Sequence, residues 1–448
     1  MNTPIWDFVT RYCEGDPLRL HMPGHKGRGP LGAEARDITE VPGADVLYPA
    51  AGIIRESEEN AAALFGTART LYSAEGSSLC IRAMLYLALL GRAPSARRPV
   101  VLAARNAHRA FLTGAALLDL DVAWLWPDPS SGYLSCPVDA GALDRALTAL
   151  PEPPVAVYLT SPDYLGNLAD LPALSAVCRR RGVLLLVDNA HGAYLKFLPK
   201  SLHPMDLGAD LCCDSAHKTL PVLTGGAYLH IAESVPAHIA RQAEPALALF
   251  ASTSPSYLIL QSLDLANRTL VEGFRERLAD FAGQTAELKD RLARQGWQLS
   301  GAEPMKLTLL PKSRGYTGAE LETLLRARGI SCEYADPDCT VCMLTPDVDP
   351  AGLDRLEAAL ADLPPKAPIG TRPPPLTRPE QALSVRAALL SPQEDCAAGD
   401  SVGRILAMPT VSCPPAVPIL AAGERIDKAA AALFDYYGVT RCLVTAEQ

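Results

Sequence analysis

No apolar run in the chain reaches the roughly 18 residues that a membrane-spanning helix needs. The first residues, Met1-Asn-Thr-Pro-Ile-Trp-Asp-Phe-Val-Thr10, lack the basic and then apolar regions of a secretory leader, so the expectation is a cytoplasmic protein without a membrane partner. Positive charge is not in excess either. Lys and Arg number 41 against 50 Asp and Glu, a net −9, which leaves no broad basic surface for nucleic acid. There is no internal repeat. The twelve cysteines are scattered, and several (Cys80, Cys178, Cys212, Cys213) sit in apolar stretches where a free thiol acts as a small hydrophobe. Cys339 and Cys342 form a lone C-x-x-C near Cys332, without the second pair or the histidine that a zinc site requires, so no metal is expected. What is present is an ordinary globular composition, 48% hydrophobic and 20% charged. The 448 residues are enough for two or three domains handling a small molecule.

Between Thr70 and His230 short apolar runs alternate with helical stretches. Residues 99–103, 122–126, 155–160, 183–187 and 227–231 are rich in Val, Leu and Ile without polar alternation, the pattern of strands buried on both faces. Helical stretches at 79–90, 139–150 and 171–181 lie among them, which predicts βαβ units and a mostly parallel sheet. A long charged helix over 272–295 leads out of this region. A smaller α+β domain follows: a strand at 306–310, a helix opened by Thr317 with Glu320 completing a capping box and Gly329 stopping it, a strand at 339–344 and a helix from Pro350 to about Leu363. Residues 364–379 hold seven prolines in sixteen positions and read as a linker or extended arm. A last helix is expected near 426–437. The domain boundaries predicted are an arm over 1–36, a large domain over 37–285, a small domain over 286–363, a linker over 364–400 and a C-terminal segment over 401–448 packing with the small domain.

Four local patterns suggest chemistry. In Asp214-Ser-Ala-His-Lys-Thr219, a lysine among small polar residues just before a strand suits a Schiff-base amine, with Ser215 and His217 placed to donate to a phosphate; the alternative is a surface lysine in a turn. In Val187-Asp-Asn-Ala-His-Gly-Ala193, Asp188 ends an apolar run, and ligands of parallel sheets bind at the carboxyl ends of strands. A carboxylate there can keep a pyridine nitrogen protonated; alternatively it caps a loop. Ala74-Glu-Gly-Ser-Ser78 opens an apolar helix, so Gly76, Ser77 and Ser78 offer N–H groups and hydroxyls to an anion. Finally, His108 in Asn106-Ala-His108 follows a predicted strand, where its ring can stack on a flat ligand.

These pieces, in this order, resemble the fold-type-I pyridoxal-phosphate enzymes, and more narrowly the Orn/Lys/Arg decarboxylases. The narrow likeness rests on His21-Met-Pro-Gly-His-Lys-Gly27, Asp37-Ile-Thr-Glu-Val-Pro-Gly-Ala-Asp45, Gly52-Ile-Ile-Arg-Glu56, Ser252-Thr-Ser-Pro-Ser-Tyr257 and the Arg404–Ile426 stretch with its Gly423-Glu-Arg. The resemblance implies an α/β fold with a mostly parallel seven-stranded sheet flanked by helices and a smaller α+β C-terminal domain. It implies pyridoxal 5'-phosphate on Lys218, Asp188 at the ring nitrogen, and His108 stacked on the ring. Ala190 and His191 would line the other face, with Ser77, Ser78, Ser215 and His217 around the phosphate. It also implies a homodimer or higher oligomer whose N-terminal arms reach the active sites. The activity implied is decarboxylation of lysine, arginine or ornithine to an amine and carbon dioxide, with Lys218 or His217 returning a proton to Cα. Other reactions on the same fold (amino transfer or elimination) and a non-catalytic cofactor-binding role are the alternatives. Asp45, Glu56, Asp163 and Glu424 are candidate partners for a cationic substrate side chain. The family often has Glu at the position of Asn189, His at that of Tyr194 and Thr at that of Asp163, and this chain lacks the acidic residue often found before Gly52. It also lacks the wing domain of the large members.

Overall fold

The computed structural model describes residues 1–92, 95–409 and 414–446. Residues 410–413, within the Arg404–Ile426 stretch, lie outside the described residues. Fourteen strands are described: β1 Arg69–Ser73, β2 Val100–Ala104, β3 Asp121–Leu125, β4 Ala156–Thr160, β5 Leu184–Asp188, β6 Leu211–Asp214, β7 Ala227–Ile231, β8 Gln298–Ser300, β9 Lys306–Leu310, β10 Tyr334–Ala335, β11 Thr340–Met343, β12 Gln393–Ala397, β13 Leu406–Met408 and β14 Arg441–Thr445. The first seven form one sheet in the order β1-β7-β6-β5-β4-β2-β3. β5 and β6 run parallel, as do β2 and β3, and β7 is antiparallel to both of its neighbours. All five strands expected from apolar runs lie within one residue of the observed ones.

Packing divides the chain into two compact units. The first comprises Met1–Ser95, Val155–Val157 and Leu171–Glu276; the second comprises Ala96–Pro154, Tyr158–Asp170 and Arg277–Gln448. In the first unit, every residue of β6 and β7 is buried, which is why neither strand shows the alternation of a half-exposed one. The helix Ser77–Leu90 packs on these strands. Eight of its residues from Leu79 to Ala88 are buried, and a helix apolar on most of its circumference must be interior. Phe65 anchors an aromatic group behind the strand ends: its ring lies 4.5 Å from that of His230 and 5.3 Å from those of Phe197 and Tyr228.

The second unit contains a four-stranded sheet, β10-β11-β9-β8, and a three-stranded sheet, β12-β14-β13. The Thr317–Glu320 capping box is present at the start of the helix Gly318–Arg326. Residues 364–379 hold no regular element, but they are pinned by backbone bonds from Lys366 to Arg314, Ile369 to Lys312 and Leu376 to Pro129. Regular structure resumes before residue 400, in the helix Val385–Leu389 and in β12. Among the described residues no helix is long and apolar enough to cross a membrane, and the eleven described cysteines are free thiols.

One buried carboxylate of the first unit is costly to ionise. Glu58 is 3% exposed and accepts the Tyr72 N–H at 2.9 Å. Burial, and next to it the nearby Glu244 carboxylate, push its pKa up to about 8, against the Tyr72 hydrogen bond and the pull of Arg69 and Arg55. The folded state therefore holds a proton that the unfolded chain releases above its ordinary value near 4.5. Stability should fall as pH rises between these two values, at up to about 1.4 kcal/mol per pH unit. Glu58→Gln is expected to flatten that part of the profile, read from urea midpoints at about pH 5 and about pH 8. An unchanged slope in the variant would show that Glu58 is ionised in the fold.

Candidate active site

β5 and β6 end side by side, with Asp188 paired in register to Cys213. The turns after these two strands and the turn after β1 carry most of the side chains singled out above. Lys218 lies on the short helix Ala216–Thr219. Its Nζ stands 3.0 Å from His191 Nε2, so the two motifs meet although 27 residues separate them. Lys218 and His191 are respectively half-buried and buried, which leaves the amine partly desolvated.

Asp188 is 2% exposed, and its Oδ1 accepts the Ala190 N–H at 3.1 Å. The bond ties the carboxylate to the turn that also places His191. The Ser77 and Ser215 hydroxyls are in contact at 2.7 Å, bringing the second pair of motifs together across 138 residues. Gly76 precedes the helix with φ +71°, and a β-carbon there would meet nothing within 4 Å. No side chain caps the helix Ser77–Leu90, so its first N–H groups, the two serines and the open space over Gly76 form a cradle suited to a phosphate dianion. His217 is turned another way: its Nδ1 lies 3.0 Å from the Gly226 carbonyl oxygen, to which it donates. Burial lowers its pKa, which favours the neutral ring. His108 belongs to the second unit. It is the N-cap of the helix Arg109–Leu117, with Nδ1 accepting the Ala110 N–H at 3.1 Å.

Sequence reasoning did not find what holds the end of β6. Asp214 is fully buried. Its Oδ2 accepts from His203 Nε2 and His230 Nε2, both at 3.0 Å, and its Oδ1 accepts from Asn189 Nδ2 at 2.7 Å. His203 Nδ1 accepts the Met205 N–H, which leaves the proton on Nε2, facing the carboxylate. Against its own burial, the two histidines hold the Asp214 carboxyl well below the ordinary carboxylate range. These three residues bring their ligand atoms within 4.8 Å of one another, but the tautomer of His203 makes them a hydrogen-bonded cluster. The available signal was Asp214 itself, at the head of the lysine motif. Its partners were not legible because His203 lies in an irregular segment and His230 on an antiparallel strand, where it pairs across to Thr70.

The carboxylates considered for a cationic substrate are engaged locally. Asp45 accepts the N–H groups of Ala51, Gly52 and Ile54 at 2.7–3.0 Å and so caps the helix Ile53–Phe65. Asp163 accepts from Leu165 N and Asn167 N, both at 2.9 Å, closing its own turn. Glu424, 1% exposed, is paired with the buried Arg105 at 2.8 Å and accepts the Ala421 N–H. Glu56 is exposed and bonds to Asn2.

Comparison with known proteins places these features in a family context. Residues 3–309 match the family described as Orn/Lys/Arg decarboxylase, major domain. An arginine decarboxylase of Halalkalibacterium halodurans is 30% identical over 95% of this chain and 91% of its own length. An uncharacterised protein of Bacillus subtilis is 29% identical over 96% and 92%. The solved lysine decarboxylase of Francisella novicida superposes with a TM-score of 0.78, covering 99% of this chain and 81% of that one at 16% identity; this likeness is one of fold.

Proposed function

Because the chain belongs to the Orn/Lys/Arg decarboxylase family and is an amino-acid decarboxylase acting on a basic substrate, we propose that it converts arginine to its amine and carbon dioxide with pyridoxal 5'-phosphate as cofactor. Arginine is favoured over lysine and ornithine because the relative at 30% identity is named for it. The observation that carries the cofactor reading is the Lys218 amine, 3.0 Å from His191 Nε2, on the same strand-end turns as a buried carboxylate and an open helix N-terminus. The donor set fits the cofactor. Ser77, Ser78, Ser215 and the N–H groups at the start of the helix Ser77–Leu90 would hold its phosphate, and the space over Gly76 admits that group.

Bound pyridoxal phosphate supplies an electron sink for the pair left on Cα when carbon dioxide departs. Asp188, fixed by the Ala190 N–H, would accept the ring N–H and so hold that proton in place. Lys218, partly desolvated, would be the nucleophile toward the cofactor aldehyde and then the donor that returns a proton to Cα. His191 Nε2 is placed to hold the proton of the Lys218 amine between these events. His217 is held by its Nδ1–H bond to the Gly226 carbonyl oxygen, and proton return falls to Lys218. Ala190 and His191 would border one face of the ring. We also propose a cytoplasmic homodimer. Leu18, Leu20 and Leu31 in the N-terminal arm are 83–86% exposed, and a second copy of the chain would cover them.

The test is an assay of purified, cofactor-loaded protein against a panel of amino acids. Equal amounts of carbon dioxide and agmatine from arginine are the expected products. A keto acid in place of the amine would refute decarboxylation, and turnover of lysine or ornithine but not arginine would refute the substrate.

A further inference from the structure

The second unit contains a cavity of about 370 Å³, within the size range of small-molecule sites. Four tyrosines line it (Tyr133, Tyr334, Tyr436 and Tyr437) together with Asp336 and Asp435. Among the described residues that line it there is no Lys, Arg or His. The rings are held by one another. Tyr133 meets Tyr437 edge to face at 4.8 Å, Tyr437 meets Tyr436 at 5.0 Å, and the Tyr133 and Tyr334 hydroxyls are 2.9 Å apart. Behind them lies a packed core that includes Leu406, Ile426, Phe434 and Val444. The aromatic walls are therefore set before any ligand arrives.

The charge is set as well. Asp336 is 8% exposed. Its Oδ1 accepts the Asp338 and Cys339 N–H groups at 2.7 and 2.8 Å, and its Oδ2 accepts the Tyr334 hydroxyl at 3.2 Å, but no basic side chain among the described residues forms an ion pair with it. Burial raises its pKa. The helix Lys428–Tyr436 directs its C-terminal end, the negative end of its dipole, toward the same cavity through Asp435 and Tyr436. The neighbouring wall shows what such a setting takes: Lys312 places its ammonium 2.6 Å from Asp338 Oδ1 and 5.1 Å from the centre of the Tyr436 ring.

We propose that this cavity binds an organic cation, a primary ammonium or guanidinium group on an aliphatic stem, with the stem across the Tyr133 and Tyr437 rings and the cationic head between Asp336 and Asp435. Tyrosine faces attract cations through the ring quadrupole, and the carboxylates of buried Asp336 and exposed Asp435 add charge-assisted hydrogen bonds. The same carboxylates repel a ligand that carries a carboxylate of its own, so the site selects amines over amino acids. Pro415 and Val417 also line the cavity, and the intervening Ala416 carbonyl accepts the Arg109 N–H at 2.8 Å. The ligand would therefore rest against the loop that touches the residue next to His108. The inference is independent of the decarboxylase reading, because none of the lining residues belongs to the proposed cofactor site.

The experiment is a calorimetric titration of the full chain with 1,4-diaminobutane, using 1,4-butanediol as the uncharged isostere. The diamine should bind saturably with a dissociation constant of about 10 µM to 1 mM, and the diol at least about tenfold more weakly. Asp336→Asn and Tyr437→Leu should each weaken diamine binding by about tenfold. Should Asp336→Asn fail to fold, Asp435→Asn joins Tyr437→Leu in its place. Equal binding of diol and diamine, no diamine binding, or full diamine affinity in the folded variants would each overturn the proposal. Absence of carbon dioxide release from arginine would leave it standing.

Discussion

Lys218→Ala is expected to lower turnover by about 10⁴-fold and to remove the visible absorbance that the native chain acquires with pyridoxal phosphate. The loss combines two roles, nucleophile toward the aldehyde and proton donor to Cα; general acid–base contributions alone reach about 10²- to 10⁴-fold. The amine is held against His191 Nε2 at 3.0 Å, and alanine leaves no group that reaches the same point. Lys218→Arg should fail almost as completely, since a guanidinium does not give up its proton in a protein. Cofactor absorbance and turnover that persist in either variant would remove Lys218 from the mechanism. The fold should survive both changes, because Lys218 is only half-buried and near-native thermal unfolding is the control.

Asp188→Ala is expected to cut turnover by about 10²- to 10³-fold while leaving most of the affinity for the cofactor. Phosphate contacts from Ser77, Ser78, Ser215 and the helix N-terminus do not pass through Asp188, whereas the ring proton does. Loss of kcat with cofactor affinity retained is the result that separates these contributions. Asp188→Asn should behave similarly, being isosteric but uncharged. Activity near that of the native chain would mean that another carboxylate faces the ring nitrogen.

Where the sequence was legible, a local physical rule operated without competition. Residues 227–231, apolar but for His230, predict a strand, and β7 is Ala227–Ile231. Thr317 and Glu320 announced a capping box that is present. β12 and β13 gave no such signal: Gln393–Ala397 begins with three exposed polar residues, and Leu406–Met408 is three residues long, so their sheet depends on tertiary pairing with β14. The same divide runs through the site. The lysine and aspartate motifs were visible because each combines a strand end with reactive residue types. Asp45, Asp163 and Glu424 were equally visible as carboxylates, but the N–H groups and the arginine that occupy them come from the folded backbone and from distant segments. A sequence displays a carboxylate; it does not display what the carboxylate already holds.

Asn189 Nδ2 donates to Asp214 Oδ1, and this contact constrains how the chain can change. Replacing Asn189 with Glu would remove that donation. A second carboxylate would stand against the buried Asp214 anion, to which His203 and His230 already donate, so Asn189→Glu alone is a blocked step and becomes passable only after Asp214 has lost its charge. The two positions are epistatic: the order of substitution matters more than the identity of either residue.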